Sequence, residues 1–319
     1  SPMPNTPPRA PRAPIDALAD IAGLEVRPRE VLARHSTFRI GGPAEWFALV
    51  KTAAALGRLL AVVRELDVPF LILGLGSNIL FPDDGLPGVV ARLGGDFGRL
   101  EIAGTRVTAG AALSLPQVAR NLAARGLVGL EALAGFPSTV GGAVYMNAGC
   151  YGTEIRDVLA SAALVDPDGR QRRVTADELE PGYRETNLRD TGTIVVEAVF
   201  ELRRGDAAAA LARIDELNRK RWQSLPAGVA NAGSIFRNPP GDYAGRLVDA
   251  CGLKGTARGA ARISARHGNV IVNEGGARAG DVLALMLEMR RAVRERFAVE
   301  LVPEVVLAGE LGHRWRAAA

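Results

Sequence analysis

Ser234 stands between Gly233 and the apolar pair Ile235-Phe236, and Arg237-Asn238-Pro239 ends the stretch. Glycine lets a second backbone or a ligand come close, and Asn-Pro favours a turn, so the hydroxyl is presented to something. Arg184 lies fifty residues earlier, in Gly182-Tyr183-Arg184, and Glu304 seventy later, in Pro303-Glu304-Val305. A guanidinium is a permanent planar fork suited to a carboxylate. A glutamic acid is a second donor when protonated and an orienting group when ionised, and the sequence leaves both states open. A serine hydroxyl is a very weak acid, so it protonates only a strongly basic, carbanion-like centre within hydrogen-bond reach. Together the three offer a hydroxyl, a fixed cation and a carboxyl. Singly each has a plainer reading: a turn-capping serine, an arginine paired with Glu185 or Asp190, a solvated edge carboxylate.

Two glycine-rich passages must help to position such a site. Leu73-Gly74-Leu75-Gly76-Ser77-Asn78-Ile79-Leu80 follows an apolar strand pattern, but Ile79 stands where a dinucleotide fold needs its third glycine. Phe81-Pro82-Asp83-Asp84-Gly85 then breaks any helix that should follow. What remains is a tight loop whose successive N–H groups, with Ser77 and Asn78, form either an anion-binding nest or a plain glycine turn. The second passage, residues 131–152, mixes glycines with small and apolar residues and almost no charge. Such a composition suits backbone lying against a large planar ligand, where side chains would collide.

At 319 residues the chain exceeds one usual domain, which predicts two or three subdomains. Apolar residues make up 48% and charged residues 23%, the balance of an ordinary globular protein. No apolar run reaches the ~18 residues of a membrane span. No basic segment followed by an apolar one opens the chain, so the expectation is a cytoplasmic protein. Cys150 and Cys251 form no CxxC, which fits a reducing compartment, and His35, His267 and His313 have no ligand spacing, so no metal is expected. The net charge of +4 is dispersed and not interleaved with aromatics, which argues against nucleic acid. Lysine is rare here (Lys51, Lys220 and Lys254), so Lys254 in Gly252-Leu253-Lys254-Gly255 reads as a chosen point charge.

Six prolines in residues 1–14 predict a disordered tail. Beyond it, apolar spacing predicts helices over 52–66, 115–125, 206–222, 243–251 and 281–297, the last capped at Gly280-Asp281. Strands are expected over 37–50, 68–73, 88–93, 106–111, 158–165, 171–174, 193–202, 268–273 and 301–307. Strands and helices alternate, so the class is α/β or α+β.

Eight segments in order resemble the UDP-N-acetylenolpyruvoylglucosamine reductase family, flavoenzymes that complete UDP-N-acetylmuramate for bacterial peptidoglycan. They are residues 37–44, 74–78, 137–152, 182–184, 231–239, 243–245, 252–255 and 303–305. The resemblance implies a two-subdomain FAD-binding unit of the vanillyl-alcohol-oxidase type (15–93 and 94–204) and a C-terminal α/β substrate-binding domain (205–303). Residues 304–319 would return as a strand and tail to the FAD-binding unit. It further implies non-covalent FAD, with Gly74, Gly76, Ser77, Asn78 and Ile79 at its pyrophosphate. Pro137, Thr139, Gly141, Gly142, Asn147 and Gly149 would line the flavin. Arg184 and Glu304 would be catalytic, Ser234 the proton donor, and Asn238, Tyr243 and Lys254 would contact the nucleotide sugar.

NADPH would be co-substrate and UDP-N-acetylglucosamine enolpyruvate the acceptor. The two would take turns in one pocket of a monomer, since no separate dinucleotide fold is visible. The interval from Arg184 to Ser234 has no room for the extra substrate-clamping loop of the longer class, so the chain resembles the shorter one. Departures from the family pattern are Ser138 for glycine, Thr186 for serine, Val305-Val306 for Val-Arg, and Gly268-Asn269-Val270 for Ala-Asn-Phe. Competing readings are a flavin oxidase, whose histidine tether neither glycine loop offers, and a nucleotide-sugar sensor, which would need no flavin.

Overall fold

Residues Gly88 to Ala91 are buried in an unbroken run, the pattern of a strand covered on both faces. In the computed structural model, which describes residues 14–226 and 228–318, this run lies in Leu86–Leu93. The strand pairs in parallel with Ala44–Val50 on one side and Phe70–Ile72 on the other, and Leu24–Pro28 adds an antiparallel edge. The helix Ala53–Glu65, whose Ala55 N–H is capped by the Thr52 hydroxyl at 3.1 Å, buries Leu56, Leu59 and Leu60 in the same core as Val89 and Ala91. The tail expected over 1–14 lies almost wholly outside the described residues, and Pro14 begins the helix Pro14–Ala19.

A second, wholly antiparallel sheet orders Gln171–Thr175, Leu159–Val165, Ile194–Glu201, Arg106–Gly110 and Leu100–Ala103. The helix Leu115–Ala124 packs into its core through Val118 and Leu122. The helix Ala207–Ser224, expected to open the next domain, instead adds Ala210 and Ile214 to this second core. Its alanine- and charge-rich sequence marks a change of composition, but its narrow apolar stripe finds its cover backwards, against Leu115–Ala124.

The third sheet runs Ala230–Ser234, Val270–Asn273, Ala261–Ile263 and Ala257–Arg258, and the long helix Ala279–Phe297 covers it with Val282, Met286, Met289 and Val293. Gly280-Asp281 is not its cap. Asp83, from the first unit, accepts the N–H groups of Ala279 at 2.9 Å and Gly280 at 3.3 Å. The final strand is short, Val306–Leu307, and pairs in parallel with Ile79–Leu80 of the first unit. Residues 302–305, expected to extend it, bond the segment after Ser234 instead. The last helix, Glu310–Ala317, returns Leu311 and Trp315 to the third core. Among the described residues no helix is long and apolar enough to cross a membrane.

Candidate active site

The first glycine loop lies at the carboxyl ends of the parallel strands Phe70–Ile72 and Leu86–Leu93, where open α/β sheets take their ligands. It is followed by the strand Ile79–Leu80 and not by a helix. Gly76 has φ of 67°, and a Cβ there would strike the His35 carbonyl oxygen, so glycine is required. The side chains are spent on the protein: the Ser77 hydroxyl donates to Pro137 O, and Asn78 Nδ2 donates to Glu304 O at 3.1 Å. The backbone is not. Among the described residues no acceptor is placed for the N–H groups of Gly74, Leu75, Gly76, Ser77 or Asn78. Half-buried Arg92 donates from Nε to Gly74 O at 3.0 Å, and burial lowers its affinity for its proton. A row of open N–H groups beside a poorly hydrated cation fits a diphosphate.

The second passage holds a helix that the sequence did not suggest, Val140–Tyr145. Thr139 caps it, accepting the Gly142 N–H at 3.1 Å, and Gly141 donates to Ala111 O at 3.0 Å. A Cβ on Gly141 would come within 2.8 Å of the Ala111 Cβ, so the glycine serves close helix–sheet packing and not an open donor. Ser138 is buried with its hydroxyl donating to Thr139 O at 2.8 Å. Asn147 is 1% exposed, and its amide is used internally: Nδ2 donates to Gly182 O at 2.9 Å, and Oδ1 accepts the Arg156 N–H at 3.1 Å. Gly149 begins the short strand Gly149–Cys150, and Pro137 lies beside Phe136.

That helix anchors the turn of Arg184. Thr186, standing where serine is usual, donates its hydroxyl to Tyr145 O at 2.6 Å, while Asn147 holds Gly182. Arg184 itself adopts φ of 57°, an uncommon conformation for its side chain. Its guanidinium lies 5.2 Å from the centre of the Phe136 ring and its Nε 3.5 Å from Glu304 Oε1. Its Nη1 is buried without a hydrogen-bond partner. An unpaired buried donor on a cation is costly, and such a group is a common mark of a ligand site.

Glu304 is placed from both sides. Its N–H donates to Ile235 O at 2.8 Å, next to Ser234, and its carbonyl accepts from Asn78 of the glycine loop. Burial pushes its carboxyl above the usual range of 4.5, and the charges of Arg184 and then Arg237 pull it partly back. Ser234 ends the strand Ala230–Ser234, opposite Val270, after a bulge in which Gly233 takes φ of 68°. Bulges of this kind re-aim side chains. Asn269 then fixes the next turn of chain: its Oδ1 accepts the Phe236 N–H at 2.9 Å and its Nδ2 donates to Phe236 O at 2.8 Å. Arg184, Glu304 and the Ser234 segment thus meet, joined to both glycine passages.

The expected nucleotide-sugar residues sit around one short helix, Ala244–Ala250. Asn238 Oδ1 accepts the Ala244 N–H at 3.0 Å, and Tyr243 is 68% exposed at its start. Lys254 lies beyond the far end, about 10 Å away by helical rise, paired with Asp249 at 3.0 Å. A cavity of about 570 Å³ is lined by Tyr183, Arg237, Asn238, Pro239, Glu300 and Val302, between the Arg184 turn and the Ser234 segment. Arg237, Phe136 and Asn269 were not singled out by sequence reasoning. Phe136, beside Pro137, carried the nearest thing to a signal, an aromatic in a passage of small residues.

Residues 225–308 match the family described as UDP-N-acetylenolpyruvoylglucosamine reductase, C-terminal domain, and residues 44–175 match the FAD binding domain family. The chain is 44% identical over 284 residues to UDP-N-acetylenolpyruvoylglucosamine reductase 2 of Symbiobacterium thermophilum, covering 89% of this chain and 92% of that one. Against the Bacillus subtilis reductase it is 38% identical, over 89% and 94% of the two chains. The crystal structure of the reductase from Thermus caldophilus superposes with a TM-score of 0.77 at 38% identity, over 89% and 98%. Fold, site and sequence agree: the chain is an FAD-dependent oxidoreductase with an FAD-binding part and a C-terminal domain, and it belongs to the UDP-N-acetylenolpyruvoylglucosamine reductase family.

Proposed function

We propose that the protein reduces UDP-N-acetylglucosamine enolpyruvate to UDP-N-acetylmuramate, a peptidoglycan precursor, with NADPH as the electron source. The observation that carries this reading is the buried, unpartnered Nη1 of Arg184 beside Glu304. It suits a carboxylate that arrives with the substrate. The diphosphate of non-covalent FAD would lie on the open N–H groups of Gly74 to Asn78 beside Arg92. The flavin would reach past Ile79 toward Pro137, Thr139, Gly142 and Gly149. Bound there and reduced, FAD would supply the hydride that the enolpyruvyl group needs.

The protein's own part follows from that charge flow. Arg184 binds the enolpyruvyl carboxylate through Nη1 and stabilises the negative charge that spreads into it from C2. Fixed donors aimed at developing charge contribute about 3 kcal/mol each. Glu304, its carboxyl raised by burial, donates a second hydrogen bond in its protonated form. Ser234 delivers its hydroxyl proton to C2, and water restores it. Asn238, Tyr243 and Lys254 hold the UDP-sugar, with Asp249 yielding Lys254 to the diphosphate. We assign residues 15–224, whose last helix packs into the second core, to the cofactor and residues 225–303 to the sugar nucleotide, in a cytoplasmic monomer.

Anaerobic mixing tests the reading in two halves. NADPH should bleach the yellow flavin, and the enolpyruvyl nucleotide should restore its colour with formation of UDP-N-acetylmuramate. Reduced protein that stays bleached with that nucleotide would sink the proposal.

A further inference from the structure

We infer that Arg237 is a positioning residue that sets the placement of Arg184 and, through it, the charge around Glu304. The inference rests on the reading of Arg184 and Glu304 given above. Arg237 is three residues past Ser234, on backbone fixed by its own N–H to Val302 O at 2.9 Å and by Asn269 on Phe236. Its guanidinium spans two acceptors on the Arg184 turn: Nη2 donates to Arg184 O at 3.1 Å and Nη1 to Glu185 Oε2 at 3.2 Å. The turn's other anchors, Asn147 on Gly182 O and Thr186 on Tyr145 O, belong to the second unit. Arg237 is therefore the bond by which the third unit, which carries Ser234, grips the backbone of Arg184.

That grip matters because Arg184 holds a left-handed backbone conformation, which tertiary contacts must over-determine. A slackened turn moves a long side chain whose Nη1 must meet a carboxylate. Arg184 links the charges: its Nε lies 3.5 Å from Glu304 Oε1 and its carbonyl accepts from Arg237, so both guanidiniums pull on the Glu304 carboxyl, while Glu185 pairs with Arg237. Two cations on one buried carboxyl hold its proton less tightly than one would, so removing Arg237 shifts the titration of Glu304 upward. A lysine replaces the charge but not the two-pronged span.

The test compares wild type, Arg237→Met and Arg237→Lys as flavin-loaded full chains. Stopped-flow absorbance follows each half-reaction, and NMR of ¹³C-carboxyl glutamate, with Glu304→Gln for assignment, follows the titration. Arg237→Met should slow reoxidation by the enolpyruvyl nucleotide about thirtyfold, leave reduction by NADPH at the wild-type rate, and raise the Glu304 titration. Arg237→Lys should return the titration to its wild-type position yet recover only part of the rate. Wild-type reoxidation in Arg237→Met, equal losses in both half-reactions, or an unmoved Glu304 titration would each overturn the inference. Should reduced wild type fail to react with the nucleotide, the proposed substrate is wrong. The Glu304 titration in the same samples then still decides the part played by Arg237.

Discussion

The loop Gly74–Asn78 and the cluster of Arg184, Glu304 and Ser234 are adjacent, linked through Asn78 and the Glu304 carbonyl, yet they are built on opposite plans. In the loop the side chains are satisfied by protein and the backbone N–H groups are left open. In the cluster backbone groups do the placing, with the Glu304 N–H on Ile235 O and Arg184 O accepting from Arg237, and a side-chain donor is left open. A backbone nest recognises a diphosphate that never has to change, and it depends on fixed φ values. Side chains can shift charge and protons, which a reaction needs. On the function proposed above, the difference separates holding a cofactor from turning over a substrate, and each region should therefore fail in its own way.

The largest expected effect is on the cluster. Ser234→Ala should slow reoxidation of the reduced flavin about a thousandfold, the range of a positioned proton donor, and leave flavin content and reduction by NADPH unchanged in stopped-flow traces. Equal losses in both halves would erase the contrast between the regions. The loop should fail structurally: Gly76→Ala forces a Cβ against His35 O at positive φ, costing about 2–3 kcal/mol. Urea titration and the 450-to-280 nm absorbance ratio would read it, and a variant that keeps both stability and flavin would refute the strict glycine requirement.

Between the two lies Asn269→Ala, which strips both backbone groups of Phe236 of their partners at about 2 kcal/mol. It should also lower the reoxidation rate, because the Ser234 segment loses its brace. Normal turnover in the folded variant would show that Asn269 serves stability alone. The smallest effect is a pH dependence. Glu304's raised proton affinity adds stability below its unfolded value of 4.5, and that stability is lost as pH rises through the higher folded value. Relative to Glu304→Gln, the wild-type melting temperature should fall as pH rises from 5 to 8. A pH-independent difference would mean the carboxyl is ionised throughout.

Much of this was legible in the chain itself. The apolar stripe predicted the helix over 52–66, found at Ala53–Glu65, and the missing third glycine at Ile79 correctly ruled out a dinucleotide-type helix after the loop. Ser234, Arg184 and Glu304 each sit in a distinctive short motif, and the structure brings their segments together. What was hidden depends on distant partners. Gly141-Gly142 lowers helix propensity, so Val140–Tyr145 forms only because Thr139 caps it and Ala111 packs against it. Residues 301–307 carry strand-like residues, but Arg237 and Ile235 capture the hydrogen bonds of 302–305, and only Val306–Leu307 form a strand. Arg237 acts on a turn 53 residues away and Asn269 on a segment 33 away, distances at which no local pattern speaks.

The carboxylate of Asp83 is made 196 residues before the helix end it satisfies. During synthesis the first unit would already have emerged, with that acceptor waiting, when Ala279–Phe297 leaves the ribosome. An excised fragment beginning at residue 225 would lack it, and the longest helix of that fragment would fray at the end nearest Asn273, whose amide also reaches back to Phe38 O. The third unit is thus finished by its predecessor, and exchanging it between relatives would require carrying the aspartate along.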